Sequence, residues 1–288
     1  MNAGYASTTT DPSVKTMWIG SPLRGAFRLA SYLLLTLLLL PFHLLAVMLG
    51  IRPVINGLPV IYHRMVCTIL GIRVRVYGRR SDVMPTLFVC NHVSYLDIEV
   101  MGGLVSGSFV AKAEVATWPF FKTLAKAQRT IFVERRTSKT NSSRDEMMRR
   151  LDTGDNLMLF PEGTSSDGTR VLPFRSALFA VAQLRRDDRP IVVQPVAISY
   201  IRLDGIPLGR YWRPLFAWFG DLDLVPHLWQ MVCLGETEAV VTFFEPVDID
   251  RLGDRKKLAV YCFDQVSSGV QAANTGRFEL LPPPAAAA

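Results

Sequence analysis

Cysteine is scarce in this 288-residue chain: Cys67, Cys90, Cys233 and Cys262 are scattered, and no two form a C-x-x-C pair. That excludes paired-thiol chemistry and leaves buried, reduced thiols of a cytoplasmic protein as the expectation. Histidine is equally rare. His43, His63, His92 and His227 are dispersed without ligand spacing, so no metal centre is expected. The sequence has no G-x-S-x-G elbow, which argues against a serine-hydrolase triad. No internal repeat is visible. No nucleic-acid motif or aromatic-basic interleaving accompanies the positive charge, so nucleic acid is not an expected partner.

What is abundant is apolar surface. A hydrophobic fraction of 49% and a mean hydropathy of +0.22 are too high for an ordinary soluble enzyme and too low for a chain made only of membrane spans. Arg28 is the last formal charge before the run Leu29–Ile51, and about 20 apolar residues suffice to cross a bilayer. Pro41 interrupts the run, so it reads either as a kinked span or as a re-entrant hairpin dipping into one leaflet. The run is too long for a signal-peptide core and lacks a small-x-small cleavage site, so a retained anchor is expected.

Arg52, Arg64, Arg73, Arg75, Arg79 and Arg80 outnumber Lys15, Arg24 and Arg28 on the other flank. By the positive-inside tendency this keeps the rest of the chain on the cytoplasmic side of the inner membrane. The net charge of +7 and pI near 9.4 suit a protein lying on anionic membrane lipids. Leu58–Ile72, which contains His63 and Arg64, reads as an interfacial helix.

Beyond Arg73 the pattern changes. Short runs rich in β-branched and aromatic residues, among them R-V-R-V-Y, T-L-F-V-C, S-F-V-A-K-A, T-I-F-V-E-R, N-L-M-L-F, I-V-V-Q-P-V-A-I-S and A-V-V-T-F-F, alternate with helical patterns. The expected fold is α/β, with a mixed, mainly parallel sheet flanked by helices. Helices are predicted in T-W-P-F-F-K-T-L-A-K-A, over 141–150 with Gly154 as the stop, in S-A-L-F-A-V-A-Q-L-R-R, and over 254–270. The chain therefore divides into a flexible tail (1–20), a membrane-associated helical segment (21–72), an α/β domain (73–275) and a disordered, low-complexity tail (276–288).

Reacting groups in open α/β sheets gather beyond the carboxyl ends of strands. Three polar clusters sit there: N-H-V-S-Y-L-D at 91–97, E-R-R at 134–136, and P-E-G-T-S-S-D-G at 161–168. His92 and Asp97 are five positions apart, about 140° round an ideal helix, so they meet only if His92 lies in the turn and Asp97 in the first helical turn. A carboxylate on Nδ1–H would make Nε2 a base toward a hydroxyl. The plainer reading is that Ser94 caps a helix, with Asp97 completing a capping box. Cys90, on the strand, reads as a packing residue.

N-H-x-S-x-x-D followed some seventy residues later by F-P-E-G-T resembles the glycerolipid acyltransferase family that includes 1-acylglycerol-3-phosphate acyltransferases. S-F-V-A-K-A-E-V with W-P-F-F resembles the segment between its first two blocks, and T-I-F-V-E-R and V-V-Q-P-V-A-I-S resemble its second and fourth, the four blocks standing in the same order over about 73–248. The resemblance implies that 73–275 is an acyltransferase domain in which His92 is the base and Asp97 its partner. It places Arg135 near the acceptor's polar head and makes Glu162, Gly163 and Thr164 part of an acceptor-binding loop. An acyl group would pass from a thioester on acyl carrier protein or coenzyme A, used as co-substrate with no cofactor, to the hydroxyl of a lysolipid.

Phosphate-accepting members read E-G-T-R, whereas Ser165 stands here in place of the Arg. E-G-T-S-S-D-G followed by R-V-L-P-F-R-S-A-L-F resembles the bacterial lyso-ornithine lipid acyltransferases, whose acceptor is a 3-hydroxyacyl chain amide-linked to ornithine. That makes Asp167 a candidate contact for an amine. Lyso-ornithine lipid is the expected acceptor, with lysophosphatidate, or both, as the alternative and a non-catalytic lipid-binding protein as a further one. Arg135, Arg136, Lys139, Lys122, Lys126 and Arg129 form either a dock for the acidic donor or a solvated face. The aromatic stretch Tyr211–Gly220 lines an acyl path, sits at the membrane interface or packs in the core.

Overall fold

A computed structural model describes residues 20–112, 127–133 and 140–284. Helix α1 (Pro22–Leu49) opens the described chain. Ser21 caps it by accepting from Arg24 N, and Gly50, in the left-handed region at φ 68°, ends it. The helix runs through Pro41 as one element; of the two readings of the apolar run, the hairpin within it is not formed, and the chain turns after it, between α1 and α2 (Arg52–Leu70). The cause lies in the conformation available at Gly50, which permits the turn that Pro41 does not enforce. Thr36 Oγ1 and Tyr62 Oη, 2.8 Å apart, tie the two helices together.

The base of α1 is fastened to the domain. Ser21 N donates to Cys233 O at 2.9 Å, and Arg28 donates to Leu234 O at 2.7 Å. Gly25 admits the Cys233 side chain against the helix, a place that a Cβ would occupy. Farther along, Leu34, Leu37, Leu38, Leu45 and Met48 are all more than half exposed. At about 1.5 Å per residue the 28 residues span about 42 Å, long and apolar enough to cross a bilayer. This exposed apolar face makes α1 a candidate membrane-associated helix.

The sheet follows the predicted strands: β1 (Ile72–Tyr77), β2 (Thr86–Cys90), β3 (Ser108–Lys112), β4 (Ile131–Val133), β5 (Leu157–Leu159), β6 (Val192–Leu203) and β7 (Thr237–Phe243). Their order is β1-β7-β6-β2-β5-β3-β4, parallel throughout except where β7 meets β6, with the short strand Ile206–Pro207 folded back on β6. β2 is fully buried at the middle, as an uninterrupted apolar run requires. Helices α3 (Leu96–Gly102), α4 (Thr140–Asp152), α5 (Leu224–Cys233) and α6 (Arg255–Thr275) complete the layers, and two main apolar clusters fill the space on either side of the sheet.

Two expectations change. S-A-L-F-A-V-A-Q forms a 3₁₀ helix (Ser176–Gln183), and Arg185–Arg186 leave it to pair with Arg189–Pro190. Asp187 and Asp188 make that ribbon, with φ of 49° and 59°, the positive-φ pair that a tight hairpin needs. Residues 276–284, expected to be unpacked, cover β1 instead. Phe278 stacks on Tyr77 at 5.8 Å, Leu281 is buried among Tyr77, Ile201 and Val240, and Pro284 bridges to Tyr77. An edge strand offers unpaired backbone, and this segment occupies it. The helix predicted over 117–127 lies outside the described residues apart from Ala127.

Candidate active site

The site follows from strand register. β2 and β5 pair with Leu87 opposite Leu157, an offset of 157 − 87 = 70, and the same offset carries position 92 to position 162 just past both strand ends. Accordingly His92 N donates to Glu162 Oε1 at 2.8 Å. On its other side His92 O accepts from Ser166 N at 2.8 Å. The first and third polar clusters thus grip one residue's backbone. Asn91 extends β2 in place of a strand residue, its amide exchanging two hydrogen bonds with Ile198.

His92 Nδ1 lies 2.8 Å from Asp97 Oδ2. The same carboxylate oxygen accepts from Val93 N at 2.7 Å and Ser94 N at 3.0 Å, while Tyr200 Oη donates to Oδ1 at 2.9 Å. Four donors fill the acceptor capacity of a carboxylate, and Asp97 is fully buried. The expected Ser94 cap does not form as such: α3 begins after Tyr95, which makes no side-chain cap, and Ser94 Oγ accepts from Leu96 N at 3.4 Å. The Asp97 carboxylate that bonds the turn ahead of the helix is the one that holds the imidazole. Burial, and then the neighbouring Asp97 charge, raise Tyr200 well above the ordinary phenol range, so it serves as a donor.

Phe160 lies against the imidazole face, ring centroids 4.4 Å apart at 23°, and Phe109 stacks behind it at 6.3 Å. With Nδ1 engaged and one face covered, Nε2 has no partner among the described residues, and the ring lines a cavity of about 430 Å³. Such a nitrogen can accept a proton from a hydroxyl brought within hydrogen-bond reach. Cys90 is fully buried, and burial followed by the Asp97 charge pushes its thiol well above the ordinary range, which removes it as a nucleophile.

Around this centre the expected acceptor loop has divided tasks. Glu162 is 2% exposed, and its second oxygen accepts from Leu172 N at 3.1 Å, so both oxygens hold backbone and neither faces the cavity. Burial raises its carboxyl to about 8, against the pull of the two N–H groups. Gly163, with φ 65°, and Thr164 line the cavity. Ser165 lines it too, but its hydroxyl donates to Trp218 O, which with Trp218 N on Val93 O at 3.0 Å draws the segment 218–220 over the site. That places Trp218 and Phe219 of the aromatic stretch in the cavity wall.

Asp167 is turned into its own loop, where Oδ1 accepts from Thr169 N at 2.9 Å and Thr169 Oγ1 at 2.6 Å. Arg175 lies beside Gly163, its guanidinium about 3.2 Å from where a Cβ would stand, with no side-chain partner among the described residues. Arg135 lies outside the described residues, as do Arg136, Lys139, Lys122 and Lys126. Arg129 is committed to Asp155 at 2.7 Å and Asn56 at 3.2 Å, and so is not free for a donor dock.

Tyr200 and Phe160 had no assigned role in the sequence reading. Phe160 carried a signal, since it opens the F-P-E-G-T block. Tyr200 carried none, standing 103 residues from Asp97.

The acyltransferase family matches residues 73–199. A lyso-ornithine lipid O-acyltransferase from Brucella abortus is 42% identical over 256 residues, which cover 86% of this chain and 94% of that protein. A 1-acyl-sn-glycerol-3-phosphate acyltransferase from Neisseria gonorrhoeae is 33% identical over 203 residues, covering 68% of this chain and 72% of that one. The crystal structure of the 1-acyl-sn-glycerophosphate acyltransferase PlsC from Thermotoga maritima superposes with a TM-score of 0.61 at 20% identity, covering 87% and 97% of the two chains, and so shares the fold.

Proposed function

Because this chain belongs to the glycerolipid acyltransferase family, we propose that it esterifies the free hydroxyl of lyso-ornithine lipid with a fatty acyl group taken from a thioester of acyl carrier protein or coenzyme A. The observation that carries this reading is the imidazole of His92, held through Nδ1 by the buried Asp97 and open through Nε2 to the cavity. Nε2 takes the hydroxyl proton as the oxygen attacks the thioester carbonyl. Asp97 stabilises the imidazolium that forms. The tetrahedral intermediate then collapses, the C–S bond breaks, and the thiolate departs and recovers the proton. Thiolates are good leaving groups, so no covalent acyl-enzyme is required.

The choice of acceptor rests on the Brucella abortus relative and on Ser165, which stands where a phosphate-gripping Arg would be and binds the Trp218 carbonyl instead. Lysophosphatidate is the second acceptor, favoured by the Arg175 guanidinium beside Gly163, which has no side-chain partner among the described residues. The exposed face of α1 supports action at the inner membrane, with the domain on the cytoplasmic side.

The test is acyl transfer by the protein in membranes, with one labelled donor and each acceptor supplied separately. Turnover of lyso-ornithine lipid is expected. Exclusive turnover of lysophosphatidate replaces the acceptor and leaves the chemistry standing. Thioester binding with no thiol release in the presence of either acceptor identifies a lipid-binding protein without catalysis.

A further inference from the structure

The cavity that receives His92 Nε2 is largely apolar, but its wall also holds a second histidine–carboxylate pair. His63 Nδ1 lies 2.7 Å from Glu99 Oε2, and His63 Nε2 lies 3.0 Å from Gln128 Oε1. The Gln128 amide is oriented by its nitrogen, which donates to Gly107 O at 3.4 Å. Both ring nitrogens therefore face acceptors, the arrangement of an imidazolium. Three separate stretches supply these groups: α2, α3 and the chain leading into β4. Gly102 on α3 leaves the space the His63 ring fills, which a Cβ would contest. The site is built into the fold.

Only one atom of the set is left over. Glu99 Oε1 has no partner among the described residues, and Glu99 lines the cavity with its side chain 19% exposed. A carboxylate oxygen that opens into a largely apolar cavity can accept from a donor that a ligand brings, gaining a charge-assisted hydrogen bond. A phosphate or an ester offers only acceptors to it. An amide N–H or an ammonium group offers what the oxygen lacks.

We propose that Glu99 Oε1 is a specificity group that accepts a hydrogen bond from an N–H of the lysolipid, amide or ammonium, and thereby favours a nitrogen-bearing acceptor over a phosphate-bearing one. This rests on the acyl-transfer reading above and assigns its selectivity to a residue outside the four motif blocks. A site built to bond a substrate N–H rejects an analogue lacking it, because the protein group is then left unpaired.

Glu99→Gln tests it with little change in shape. The glutamine oxygen still accepts from His63, and its NH₂ takes the place of Oε1, so the cavity meets a donor where it had an acceptor. The full-length protein in membranes is assayed at saturating acyl donor with N-(3-hydroxyacyl)ornithine, which has amide and ammonium, N-(3-hydroxyacyl)norvaline, which has the amide only, and lysophosphatidate, which has neither. Glu99→Gln should lower kcat/KM about tenfold or more on nitrogen-bearing acceptors, through KM, and leave lysophosphatidate unchanged or improved. Loss on both nitrogen compounds identifies the amide as the bonded group; loss on the ornithine compound alone identifies the ammonium.

An equal loss on all three acceptors, or no change on any, overturns the proposal and leaves Glu99 as a partner for His63 only. Wild-type protein that turns over lysophosphatidate alone overturns this proposal and the preferred acceptor together. If the variant fails to accumulate, the wild type decides: equal use of N-(3-hydroxyacyl)ornithine and a counterpart with an ester for the amide and no ammonium overturns it, and a preference of tenfold or more for the former supports it.

Discussion

Asn91 and Ile198 exchange two hydrogen bonds, Asn91 Nδ2 to Ile198 O at 2.9 Å and Ile198 N to Asn91 Oδ1 at 2.8 Å, so a side chain continues the pairing of β2 with β6 one residue past the strand end. His92 is the next residue, and its position is set by this joint as well as by Glu162. Asn91→Ala leaves a buried N–H and C=O without partners and should destabilise the fold by about 1–3 kcal/mol. Urea denaturation of the purified protein in detergent measures the loss.

His92→Ala removes the proposed base, and acyl transfer should fall about 10³-fold or more while the protein still accumulates. Asp97→Asn should be comparably damaging, since an amide cannot accept from His92, Val93, Ser94 and Tyr200 together. Steady-state rates on membranes normalised to protein level check both. Near-normal activity in His92→Ala would end its assignment as the base.

Phe160→Leu keeps an apolar side chain but takes the ring from the imidazole face. A fall of about 3- to 30-fold in kcat with KM little changed is expected, because the ring contributes most when the imidazole is cationic. Phe160→Tyr should restore most of the rate. A rise in KM with kcat unchanged would make Phe160 a substrate contact.

Glu162 has a folded-state pKa of about 8 against an ordinary value of 4.5. Between those values the folded chain binds one more proton than the unfolded chain, so this group's contribution to stability is full below about 4.5 and is lost as pH rises through 8. Glu162→Gln should flatten the decline of Tm across that interval, while slowing acyl transfer because one backbone N–H then faces an amide NH₂ instead of an acceptor oxygen. Thermal melts of both proteins from pH 5 to 9 provide the comparison; parallel curves would contradict it.

The strands were legible because β-branched runs such as T-L-F-V-C and I-V-V-Q-P-V-A-I-S are short, apolar and bounded by polar turns. His92 and Asp97 were legible as a pair because their spacing fits one strand-to-helix turn. Register was not. Nothing local says that β2 and β5 pair at an offset of 70, and that offset decides that Glu162 meets His92 N. A glutamate beyond a strand end reads as a ligand contact until its partners are known. Arg129 shows the same limit, since a charge looks available in sequence whether or not a neighbour such as Asp155 consumes it. The tail after 275 was misread because proline and alanine signal no packing, while Phe278 and Leu281 cover an edge that only the folded sheet exposes.

The seat of α1, where Ser21 and Arg28 bond the carbonyls of Cys233 and Leu234, also fixes a height. With its base immobilised, the helix cannot swing independently of the sheet, so any depth to which its leucines sink sets the level at which His92 stands relative to the lipid headgroups. Vertical placement of the proposed reaction is thereby written into two contacts far along the chain from His92.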